Sequence, residues 1–204
     1  MKKGWEVKRL EDLVDIKRGG SPRPIKKFLT DDKNGINWIK ISDATASGKY
    51  IYETKEKILP EGISKSRFVK SGSFLLSNSM SFGRPYILKT DGCIHDGWLV
   101  LENLNDNELD KSYLYLILGS QLIFKQFNDL ASGSTVRNLN TKLVKSVEIP
   151  LPPISEQKAI VAKLDQAFKT IDQAIANLDK NITNAEELFQ SKLNDIFSQT
   201  GVKI

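Results

Sequence analysis

Between Ile16 and Phe28 the chain reads IKRGGSPRPIKKF, which holds Lys17, Arg18, Ser21, Arg23, Lys26 and Lys27 and no acidic residue. Its two glycines and two prolines forbid a helix and work against a regular strand, so the sequence predicts a loop. Cations and open backbone amides on such a loop suit phosphate oxygens. A solvated loop can carry the same charge with no ligand, and that reading stands beside it. Two further polar stretches follow. SNSMSFGR carries Ser77, Asn78 and Arg84, and SGSTVRN carries Ser134, Thr135, Arg137 and Asn138. Small donors and acceptors beside a fork-shaped guanidinium can reach base edges as well as phosphates, where a bidentate arginine–guanine pair gives about 1–3 kcal/mol of discrimination. Arg18, Arg23, Lys26 and Lys27 are thus expected at phosphates, and Asn78, Arg84, Arg137 and Asn138 at bases.

Other chemistries leave weaker traces. Asp43, Glu53 and Lys55 imitate the carboxylate and lysine set of a metal-dependent nuclease, although a similar Glu-x-Lys recurs at Glu6 and Lys8. The sequence holds no phosphate-cradling glycine loop of the ATP-binding or dinucleotide-binding kind, and no Asp- or Asn-Pro-Pro-aromatic motif. Its one cysteine, Cys93, and one histidine, His95, lack companions for a zinc site. They are expected to be a packed thiol and a structural imidazole, with no metal bound.

The charge is unevenly placed. Of the net +5, residues 1–150 carry +6 and residues 151–204 carry −1. A basic head followed by a near-neutral segment suggests a polyanion at the head and protein contact beyond it. Hydrophobic residues make up 40% and charged ones 27% of the 204 residues, enough for one sizeable core. No apolar run approaches a membrane span and the start lacks a signal-peptide core, so a cytoplasmic protein is expected.

The elements that must position these residues are legible in outline. WEVKRL predicts a strand, with a helical turn through Glu11 to Asp15. INWIKIS and residues 49–58 each predict a strand, and GSFLLSNSMSFGRPYILK predicts two strands around a turn. Another strand is expected at residues 97–101, then a core helix or helix pair over 112–130 broken near Gly119. Asn140 is expected as a cap, and a last strand ends at Pro150.

Pro150, Pro152 and Pro153 forbid a helix running in from upstream, and Ser155 is the expected N-cap of the one that follows. Its apolar residues are Ile160, Leu164, Ala167, Ile171, Ile175, Leu178, Ile182, Ala185, Phe189, Leu193 and Ile196. Their steps are four, three, four, four, three, four, three, four, four and three, the period of a straight helix. Some 40 residues give a rod of about 60 Å. A domain of ~150 residues has a radius of gyration of only ~15 Å, so the stripe is expected to need another long helix.

The order WEVKRLEDLVDIKRGGSPRP, WIKISD, GSTVRNLN and IPLPPISEQKAIVAKLD resembles the DNA-specificity subunits of Type I restriction-modification systems over essentially the whole chain. The resemblance implies an α+β fold in which residues 1–152 form a target-recognition domain, 153–199 a spacer helix and 200–204 a tail. Family members carry this unit twice, with the two helices packed antiparallel, whereas one unit is present in this sequence. A half-length subunit would pair with a second copy or another half, antiparallel by two-fold symmetry. A homodimer would read two inverted half-sites around an unread spacer.

The resemblance also implies a non-enzyme. S-adenosylmethionine is expected on modification subunits, and ATP and Mg²⁺ on restriction subunits, with none in this chain. The alternatives are the nuclease above and a helix-mediated adaptor that binds no DNA.

Overall fold

A computed structural model describes residues 3–45, 48–79, 82–131 and 139–199. In chain order the elements are β1 (Glu6–Arg9), β2 (Asp15–Arg18), β3 (Leu29–Thr30), β4 (Ile36–Ile39), α1 (Ile41–Thr45), β5 (Tyr50–Ile51), β6 (Glu56–Ile58), β7 (Arg67–Val69), β8 (Phe74–Ser77), β9 (Pro85–Leu88), β10 (Gly92–Ile94) and β11 (Trp98–Glu102). Then come α2 (Lys111–Leu118), α3 (Gln121–Ala131), α4 (Thr141–Lys145), β12 (Glu148–Leu151) and α5 (Ile154–Gln199). The mixed α+β class expected from the sequence is the class observed. The chain divides into two compact units, residues 1–158 and 159–204.

Two five-stranded sheets, ordered β3-β6-β4-β10-β7 and β2-β11-β8-β9-β5, build the first unit. Its main core draws Ile39, Val69 and Ile94 from one sheet and Ile51, Leu75, Tyr86, Leu88, Trp98 and Val100 from the other. The period-two alternation of a strand then puts Trp38 and Cys93 on the opposite face, where they pack with Ile58, Ile25, Phe28, Ile36 and Ile63. The basic stretch therefore lies over a small second core. A third, two-stranded sheet pairs β1 with β12, so Glu6 meets Leu151 and Arg9 meets Glu148. This ties the start of the chain to the proline junction.

Several local expectations need correction. The predicted loop 16–28 begins inside β2, because buried Ile16 and its neighbours pair with β11 before the glycines interrupt. Residues 49–58 are two strands: β5 runs parallel to β9 in one sheet and β6 pairs with β4 in the other. The turn expected at 11–15 is a 3₁₀ turn at Leu10–Asp12, since Leu13 and Val14 are drawn into the core and β2 begins at Asp15. The helix pair falls at α2 and α3 as expected, yet it is not all core, for Leu122 and Phe124 face outward. Asn140 caps α4 by accepting from Leu143 N at 3.0 Å.

The start of α5 at Ile154 lies two residues before the one expected from a cap at Ser155. The carbonyl of Pro153 accepts from Glu156 N and Gln157 N, so Ser155 lies inside the first turn. Two side chains hold this start in place. Trp5 Nε1 donates to Glu156 Oε2 at 3.0 Å. Gln157 is fully buried; its amide donates to the carbonyls of Glu108 and Pro152, both at 2.8 Å, and accepts from Asp110 N at 2.9 Å. Nearby, Tyr113 donates its hydroxyl to Pro150 O, and burial pushes its pKa up to about 12.

Candidate nucleic-acid interface

The basic loop is built on the turn between β10 and β11. Gly19 N donates to Trp98 O at 2.9 Å and Gly20 N to Ile94 O at 3.1 Å. That close approach is what glycine permits: a Cβ on Gly19 would stand 2.2 Å from His95 O and 2.7 Å from Ile94 O. Asp96 then gathers the side chains. Its carboxylate accepts from Ser21 Oγ at 2.7 Å and faces Arg23 Nη2 at 3.4 Å, and its carbonyl accepts from Arg18 Nε at 2.9 Å and Asn78 Nδ2 at 3.0 Å. The Ser21 hydrogen bond, ahead of nearby positive charge, holds this carboxyl below its usual range. Arg67 Nε donates to Arg18 O at 2.8 Å, adding a clamp from β7.

The cations of the loop separate into two groups. Lys17 forms an ion pair with Glu102 at 2.7 Å, and Arg18 is committed to the Asp96 carbonyl, so both help hold the loop. Arg23, Lys26 and Lys27 are exposed, Arg23 with 81% of its side chain open to solvent, and the two lysines lie on a 3₁₀ turn. Beneath them a cleft of about 890 Å³ is lined by Ser21, Arg23, Lys26, Trp38, Lys40 and His95, among others. Burial lowers the pKa of His95, so the ring is neutral at pH 7 and adds no charge to the cleft.

Asn78, expected at a base, and Ser77, expected among the DNA contacts, have another role. Ser77 and Asn78 are 0% exposed. Ser77 Oγ accepts from Arg84 N and Asn78 binds the Asp96 carbonyl, so these side chains fix the turn from inside rather than present donors to a base. Arg84 itself is exposed. Ser134, Thr135, Arg137 and Asn138 lie outside the described residues, but Leu139, which follows them, donates its amide to Asn78 O at 2.9 Å. The first two polar stretches of the sequence thus meet around Asn78 and Asp96.

The nuclease pattern does not assemble. Asp43 is buried, and its carboxylate accepts from Lys40 N at 2.8 Å, closing the first turn of α1, and from Lys55 N at 3.4 Å. Among the described residues no group of three His, Cys, Asp or Glu could hold a metal ion. Cys93 is buried and its thiol pKa is raised by that burial. Asp96 and Gln157 were the residues sequence reading missed. Most of their partners lie tens of positions away, as Ser21 does from Asp96 and Glu108 from Gln157, so no local pattern marks either residue.

In α5 the apolar stripe is open to solvent. Leu164 is 37% exposed, and Ile171, Ile175, Leu178, Ile182, Phe189 and Ile196 are each more than half exposed. Ala167 and Ala185 are also exposed, while Ile160 and Leu193 are half-buried. Among the described residues no helix is long and apolar enough to cross a membrane.

Residues 2–184 match the family described as Type I restriction modification DNA specificity domain. The chain is 28% identical over 167 residues to the MjaIX specificity subunit of Methanocaldococcus jannaschii, covering 79% of this chain and 37% of that one. It is 30% identical over 154 residues to the HindI specificity subunit of Haemophilus influenzae, covering 74% and 32%. The chain thus spans about a third of the length of these relatives. In fold it is similar to the crystal structure of the HsdS subunit from Thermoanaerobacter tengcongensis, with a TM-score of 0.61, 24% identity and coverage of 84% of this chain and 39% of that one.

Proposed function

Because this chain belongs to the Type I restriction modification DNA specificity family, we propose that it is the DNA-reading, non-catalytic part of a methyltransferase and endonuclease assembly. It binds double-stranded DNA in the cytoplasm and reads one half of a bipartite target. Modification subunits, which bring S-adenosylmethionine, and restriction subunits, which bring ATP and Mg²⁺, dock around it. The chain's own residues bind and orient the duplex.

The observation that carries this reading is the exposed trio Arg23, Lys26 and Lys27 on a loop whose backbone is fixed at Gly19, Gly20 and Asp96. A pre-positioned cationic loop loses little freedom on meeting a phosphate backbone. Arg84, with Arg137 and Asn138, takes the base contacts. Arg23→Ala should weaken binding to every duplex sequence alike and lower the salt slope by about 1, read by fluorescence anisotropy across a salt series. An unchanged slope would remove Arg23 from the phosphate set.

The stripe of α5 completes the reading by pairing with a second long helix, most simply that of another copy. Leu178→Asp places a carboxylate in the apolar seam. Light scattering should then give a mass near 22.9 kDa where the unsubstituted chain gives twice that. Equal masses for the two proteins would count against a seam at Leu178.

A further inference from the structure

From Leu164 to Ile196 the steps of the stripe are three, four, four, three, four, three, four, four and three, the same from either end. A helix face with that property matches itself when turned end over end, about residue 180. A plain heptad repeat has many such centres. Here the five-step pattern repeats after eighteen residues, so centres fall at residues 171, 180 and 189, and only the one at 180 turns all ten residues from Leu164 to Ile196 onto one another.

We infer that α5 pairs antiparallel with α5 of a second copy about a two-fold axis at the level of Lys180. This rests on the reading of the chain as a paired specificity unit and adds its register. Seven large apolar side chains of the stripe between Leu164 and Ile196 are 37–61% exposed. A face of that extent is of the order of the ~800 Å² per partner that a stable interface buries.

In this register small residues meet large ones. Ala167 faces the partner's Leu193, Ala185 the partner's Ile175, Ile171 the partner's Phe189 and Leu178 the partner's Ile182. Lys180 lies half a turn away from the stripe, so no lysine pair forms where the helices cross.

The two-fold also sets each edge of the stripe against its own copy. On one edge Leu188, off the stripe and 62% exposed, lies over the partner's Ala174, and Asn181 meets the partner's Asn181. On the other edge Asp172, Asp179 and Glu186 recur every seven residues. Asp172 there faces the partner's Glu186, and Asp179 the partner's Asp179. Exposed like charges weigh little against the apolar face, but they give the pairing a sign. Salt screens their repulsion and tightens the dimer, whereas salt weakens binding to DNA.

Sedimentation equilibrium of the whole chain without DNA tests this. Between about 50 and 500 mM NaCl the dimer dissociation constant should fall about fivefold. Asp172→Lys should tighten the dimer at low salt, and adding Glu186→Lys should undo the gain, because the two substituted positions again face like charges. Oxidation of Ile175→Cys with Ala185→Cys should give covalent dimers, and Ile171→Cys with Ala185→Cys, one turn out of register, should not. A monomer at every salt, a dimer that salt weakens, or equal cross-linking of both cysteine pairs would overturn the register. A monomer that still binds duplex would sink the pairing and leave DNA binding standing; a dimer that binds no duplex would do the reverse.

Discussion

Gln157→Ala lowers the unfolding free energy by about 4 kcal/mol, which joins the loss of buried hydrogen bonds to the cavity left behind. The side chain is 0% exposed and is the one group that ties together Glu108, the Asp110 amide at the cap of α2, and Pro152. Removing it leaves one amide and two carbonyls buried among groups that cannot replace the bonds. Gln157→Glu should be no milder at neutral pH, since it keeps an acceptor for Asp110 N but turns a carboxylate towards two carbonyls. Urea denaturation in the Leu178→Asp background separates folding from association and reads the change as a shifted midpoint. A loss below about 1 kcal/mol would mean that water replaces the amide at little cost and that the junction is not held as described.

Gly19→Ala is expected to cost about 3 kcal/mol and to weaken duplex binding about tenfold at fixed salt. Its Cβ would meet the carbonyl oxygens of His95 and Ile94, which are backbone atoms and cannot swing aside as a flexible side chain would. The loop can escape only by lifting from the turn, which breaks the bonds from Gly19 N to Trp98 O and from Gly20 N to Ile94 O. Ser21 and Arg23 then lose Asp96, and the cations lose their fixed positions. Gly20→Ala is the control: its nearest contact would be 3.1 Å from Lys65 O, a fit that a small adjustment relieves. Equal losses from the two substitutions would show that the site needs a flexible loop rather than a close approach.

Local chemistry made some of this chain readable. Three prolines and a regular apolar walk placed α5 and its start to within a turn, because both signals lie in consecutive residues. The turn between β8 and β9 and the break at Gly119 were equally plain. Non-local pairing was not. Nothing in KYIYETKEKI says that its two ends belong to different sheets, since that depends on β9 and β4 rather than on the segment itself.

The site was half legible for the same reason. Composition found the cationic loop, but it could not tell Arg23, whose side chain is 81% open to solvent, from Lys17, which is 46% open and held by Glu102, 85 residues away. Nor could it show that Ser77 and Asn78 point inward. Polar residues in a predicted turn look exposed until the turn is seen to rest on Asp96. Asp43 misled in the opposite direction, because a carboxylate that closes a helix turn and one that binds a metal look alike in sequence.

The most direct test of DNA reading by this chain is selection of duplexes from a randomised library with the purified protein, sequencing the bound fraction. Enrichment of two short motifs in inverted orientation, separated by a fixed stretch with no preference, is the result expected of a paired recognition unit. A bound fraction with the base composition of the starting library, or no retained duplex at low salt, would contradict it.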